Sequence, residues 1–110
     1  MDISAYNPNL DFESVLDLNR SINWTAYTSN PERLQQALVH SSLVLVFKER
    51  GSVVGQVRSI SDQHTICYIQ DILVHPELRR RGIGKNLVQQ VLVRFSQVHR
   101  VVLMTDDEPA

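Results

Sequence analysis

Cysteine is almost missing from this chain. Cys67 stands alone, so no disulfide can form within it, and the N-terminus lacks the basic patch and apolar run of a secretory signal; a reducing cytoplasm is the expected setting. Long hydrophobic runs are scarce as well. The longest, Leu43 to Phe47, is far below the roughly 20 apolar residues that cross a bilayer, so the sequence reads as soluble and without a membrane contact. An excess of charge is also lacking: eleven basic residues face twelve acidic ones for a formal charge of −1, which argues against binding nucleic acid by bulk attraction. What remains is 110 residues with 43% hydrophobic content, enough for one domain over 1–110 and too little for two.

No repeat, low-complexity tract or flexible linker divides the chain, and its elements follow from local patterns. Phe12, Val15, Leu16, Leu18 and Ile22 recur at helical spacing behind Asp11 as the expected N-cap. Asn30-Pro31-Glu32 starts a second helix, since Asn caps, Pro fits the first helical position and Glu suits the positive end of the dipole. From Leu43 the texture turns β-branched and aliphatic. Leu43 to Lys48, Val53 to Ile60 and Thr65 to Val74, joined by short polar connections, predict three antiparallel strands. Leu87, Val88, Val91, Leu92 and Phe95 then mark an amphipathic helix. The apolar run inside Arg100 to Thr105 predicts a strand buried on both faces and parallel to the strand before that helix, which completes a βαβ unit.

Charge is unevenly placed despite the balance. Arg79, Arg80, Arg81 and Lys85 lie together at the mouth of the amphipathic helix, and Asp106, Asp107 and Glu108 crowd the C-terminus. Strand, short turn, two glycines and helix make an anion cradle, because the first turn of a helix presents unpaired amides and glycine lets a phosphate approach them. A Walker A loop is excluded, since Arg79 stands where its first glycine belongs and Asn86 where its hydroxyl belongs. A dinucleotide fingerprint is excluded too, since Leu87 replaces its third small residue. His40, His64 and His99 share no ligand spacing with Cys67, so no metal is expected.

The stretch Arg79-Arg80-Arg81-Gly82-Ile83-Gly84 matches Arg/Gln-x-x-Gly-x-Gly/Ala, and with Val74-His75-Pro76-Glu77-Leu78 before it it resembles the acetyl-CoA-binding motif of the GCN5-related N-acetyltransferases (GNAT). The resemblance spans nearly the whole chain. It implies an α+β acyl-CoA N-acyltransferase fold: two N-terminal helices, an antiparallel meander, then βαβ with a pyrophosphate-binding helix. It also implies an activity, direct transfer of acetyl from acetyl-CoA to a primary amine of a small molecule or protein. By the same resemblance Ile72, Leu73 and Val74 pair with the pantetheine arm through their backbone. Arg79, with Arg80, Arg81, Gly82, Ile83, Gly84 and Lys85, frames the pyrophosphate. An oxyanion meets a backbone N–H near Leu73. Asp71 is implied as general base or amine anchor, beside Gln70, with Trp24 and Tyr68 as further acceptor-side residues. An alkylammonium with a pKa of roughly 10 must lose a proton before it attacks. Cys67, in mid-strand, is read as packing, and His75 as a turn residue.

The family pattern continues with a further helix, carrying a general-acid tyrosine, and two more strands, whereas this sequence stops at Ala110. On that pattern a C-terminal helix and the last two strands are missing, and none of Tyr6, Tyr27 and Tyr68 takes the general-acid position. Two consequences are expected. One is self-association through the exposed edge of the fifth strand. The other is an alternative function, a non-catalytic domain of this fold that binds CoA or a protein partner.

Overall fold

The computed structural model describes residues 2–103. Five strands form one sheet in the order β1-β2-β3-β4-β5, with β1 Ile3–Ala5, β2 Leu43–Glu49, β3 Ser52–Ser61, β4 Ile66–Val74 and β5 Arg100–Leu103. All neighbours are antiparallel except β4 and β5, which run parallel across the connection through α4, Ile83–Arg94. Helices α1, Phe12–Ser21, and α3, Pro31–His40, cover one face, and α4 covers the other.

Two apolar layers hold the sandwich together. Val15, Leu16 and Leu18 of α1 and Leu34 and Leu38 of α3 pack on Val44, Val46, Val53 and Leu73. On the reverse face Ile83, Leu87, Val91 and Phe95 of α4 pack on Leu45, Phe47, Val57, Cys67 and Ile69. The buried line of α4 thus runs at every fourth residue, while Leu92 of the expected stripe is 44% exposed. Close contact of α4 with the sheet depends on Gly55, where a Cβ would lie 2.8 Å from Ile83 Cγ2.

Several expectations change in detail. Two elements were not legible: the short edge strand β1, and the one-turn helix α2, Thr25–Thr28, which brings the helices before β2 to three rather than two. Neither is long enough to show a period. Asp11 occupies the N-cap position of α1 without capping it; its buried carboxylate instead accepts from the Asn7 amide at 2.8 Å and pairs with Lys48 at 2.7 Å. Asn30 does cap α3, accepting from the Arg33 amide. β5 is not buried on both faces: Val101 and Val102 are half-buried and Leu103 is 45% exposed, because β4 is its one sheet neighbour among the described residues. Thr105 and the acidic end, Asp106 to Glu108, lie outside the described residues.

The bend in β4 positions everything that follows. Arg58 pairs with Asp71 but Ser59 with Ile69, which leaves Gln70 as the extra residue of a β-bulge. Alternation therefore changes face. Cys67 and Ile69 point into the α4 layer, whereas beyond the bulge Leu73 packs under α1 and Ile72 and Val74 turn to α4.

Candidate active site

At the mouth of α4 the chain makes a tight turn that only certain residues tolerate. A 3-10 turn over Pro76–Leu78 is capped by His75, whose Nδ1 accepts from the Glu77 amide, in line with its reading as a turn residue. Arg80 and Gly82 then adopt left-handed backbone with φ of 70° and 79°. Glycine bears that conformation without cost and arginine does not. Asn86 Nδ2 donates to the Gly82 carbonyl at 2.8 Å and fixes the turn from inside the helix. Arg81, rather than Arg79, braces the loop, through a 2.9 Å ion pair with Glu49. The amides of Ile83, Gly84 and Lys85 open the helix and donate to no other group among the described residues.

Those amides form one row of backbone, and the end of β4 beside them, Gln70 to Val74, forms a second. β5 pairs with β4 from Ile66 to Ile69, opposite Arg100 to Leu103, where the described residues end. Gly84 brings the two rows together, since a Cβ there would sit 3.6 Å from methyls of both Ile72 and Val74. The start of α4 and the end of β4 thus lie against each other. The residues expected to hold the cofactor lie in these two rows: Ile72, Leu73 and Val74 in the strand, Arg79 to Lys85 in the loop and helix start.

The residues expected on the acceptor side lie by the bulge. Asp71 is 2% exposed, and its Oδ2 accepts from Arg58 Nε at 2.7 Å. The Tyr27 hydroxyl donates to the same carboxylate, 3.1 Å from Oδ1. Burial works against the charge of Arg58, but the hydrogen bond and attraction to Asp71 outweigh it and hold the guanidinium above its usual pKa. Trp24 stacks edge-to-face on Tyr27, with centroids 5.4 Å apart. Gln70 is the bulged residue, and Tyr68 stands before it on the face opposite Cys67. Cys67 is fully buried, and desolvation pushes its thiol up, which keeps it protonated and in keeping with packing.

Two members of this cluster, Arg58 and Tyr27, were missed in the sequence. A signal for Arg58 was present: an arginine in the apolar alternation of β3 with an acid of opposite sign on the next strand. Tyr27 had none, because its place depends on a four-residue helix.

A sheet between two helical layers, with a parallel βαβ edge and an amide-lined loop at its helix, defines an acyl-CoA N-acyltransferase fold. The chain belongs to the acetyltransferase (GNAT) family, whose model matches residues 11–110. A GNAT-family acetyltransferase from Streptococcus pneumoniae TIGR4 is similar in structure and sequence, with a TM-score of 0.79 and 31% identity over 98% of this chain and 79% of that one. An aminoglycoside 6'-N-acetyltransferase complexed with coenzyme A shares the fold at a TM-score of 0.80 and 21% identity, over 97% of this chain and 63% of that one. An uncharacterised N-acetyltransferase, ycf52, of Gracilaria tenuistipitata var. liui is 21% identical over 94% of this chain, which spans 59% of its length. Among the described residues no helix is long and apolar enough to cross a membrane.

Proposed function

We propose that the chain transfers the acetyl group of acetyl-CoA to a primary amine. One observation carries the reading: the amides of Ile83, Gly84 and Lys85, which donate to no other group among the described residues, open a helix packed against the end of β4. Acetyl-CoA suits both rows. Its pyrophosphate calls for backbone donors at a helix start, and its amide-bearing arm calls for a strand edge to pair with. When bound, it supplies an acyl group activated as a thioester. On this reading Arg79 and Arg80 raise the local potential, and the main chain of Arg80 to Lys85 holds the phosphates. Ile72, Leu73 and Val74 align the arm, and a backbone N–H near Leu73 meets developing negative charge.

The amine approaches from the side of Trp24, Tyr68 and Gln70. Asp71 is committed to Arg58, and protonating it would leave a buried guanidinium without its counter-charge. Positioning its neighbours is therefore the role we assign it, and the amine's proton goes to solvent. Release of free CoA over a panel of spermidine, lysine, kanamycin and a lysine-bearing peptide tests the reading. Turnover on at least one amine is expected; none on any of them, at saturating acetyl-CoA, contradicts it.

A further inference from the structure

The Asp71 carboxylate has no direct route to an acceptor. It is 2% exposed, Arg58 Nε covers Oδ2, and the Tyr27 hydroxyl lies 3.1 Å from Oδ1 and 3.3 Å from Oδ2. Among the described residues that hydroxyl is the half-buried group that touches both members of this buried pair. It donates to Asp71 and accepts from Arg58 Nη2 at 3.2 Å. A hydroxyl oxygen has two acceptor positions, and Arg58 uses one.

Resting on the acetyltransferase reading above, the geometry points to Tyr27 as the residue that anchors the amine acceptor, through the remaining lone pair of its hydroxyl. Asp71 and Arg58 are the positioning residues that orient it. The ring is held on two sides, by Trp24 at its edge and by the Arg58 guanidinium 5.9 Å from its centroid. Burial, and then the charge of Asp71, raise the Tyr27 phenol above its ordinary pKa, so it stays protonated and keeps donating to Asp71. Location agrees with the role. The cluster stands at the β4 bulge, directly before Ile72 to Val74, the segment that the proposed function gives to the acetyl-CoA arm. Arg58 Nη1 also donates to Ser41 Oγ at 3.3 Å, which ties the end of α3 to the same cluster.

The test labels the phenol carbons of Tyr6, Tyr27 and Tyr68 isotopically and follows their magnetic resonance signals, assigned with single Tyr→Phe variants. The CoA-saturated chain is titrated with the amine of the panel that it acetylates fastest. The Tyr27 signal is expected to move saturably while that of Tyr6 stays in place. In parallel, Tyr27→Phe is expected to raise the KM for the amine about tenfold to a hundredfold, the loss of one hydrogen bond to a charged group, while the KM for acetyl-CoA holds. A merely structural Tyr27 would lower the melting temperature without separating the two KM values. Should the variant not fold, the wild-type titration decides. A static Tyr27 signal with an amine that is turned over, or an unchanged amine KM in folded Tyr27→Phe, overturns the anchor and leaves the acetyltransferase reading standing. No turnover on any amine overturns that reading and the anchor with it.

Discussion

At the scale of single residues, the buried pair of Arg58 and Asp71 is costly to break. Breaking such a pair by removing one partner costs about 3–5 kcal/mol, because the survivor is left charged in the interior. Arg58→Met is therefore expected to lower the melting temperature by on the order of 15 °C or to prevent folding, whereas exposed Arg79→Met leaves it nearly unchanged. Calorimetry of the two variants checks this. A small shift for Arg58→Met would show that the pair is solvated and that Asp71 is accessible after all. The place of Asp71 in the strand was legible in the sequence, because the motif fixes where the strand before the loop ends. Its partners were not: Arg58 and Tyr27 lie 13 and 44 residues away along the chain, and nothing local encodes that meeting.

At the scale of elements, the hairpin between β3 and β4 depends on one exposed acid. Asp62 accepts from the Thr65 hydroxyl first, and also from the amides of Thr65, His64 and Ile66, and these bonds hold its carboxyl well below the usual carboxylate range. A carboxylate with a lowered folded-state pKa stabilises fully above its unfolded value, about 3.9, and loses that contribution as pH falls toward the folded value. Protection of the Thr65 and Ile66 amides against hydrogen exchange should accordingly be constant at neutral pH and decline below about pH 4. In Asp62→Ala it should be low throughout. Equal protection in the two proteins would contradict the assignment. The helices α1, α3 and α4 were readable because burial repeats along them, and β2 to β4 because β-branched and aliphatic runs end at short polar connections. β1 and α2 are shorter than any period. The β4 bulge was hidden for a different reason: a single extra residue exchanges the two faces of a strand without altering its composition.

At the scale of the whole molecule, the order of elements and the α4 loop were legible in advance, since a βαβ unit with a glycine pair at its helix admits few other arrangements. The partial burial of β5 was not, because it depends on what lies beside the strand rather than within it. We propose self-association through the outer edge of β5, which pairs only with β4 among the described residues. Sedimentation at high concentration should show a dimer, and a strictly monomeric profile contradicts it. The central claim is that the α4 loop and the β4 edge together hold acetyl-CoA. Gly84 probes this place: its Cβ position is in ordinary contact with Ile72 and Val74, so alanine fits, whereas the branches of valine would push the helix start away from them. The most direct measurement is calorimetric titration of acetyl-CoA into wild type, Gly84→Ala and Gly84→Val. Saturable binding to wild type, kept in folded Gly84→Ala and lost in folded Gly84→Val, is the expected result. Absence of binding to wild type, or equal affinity in all three, would contradict the claim.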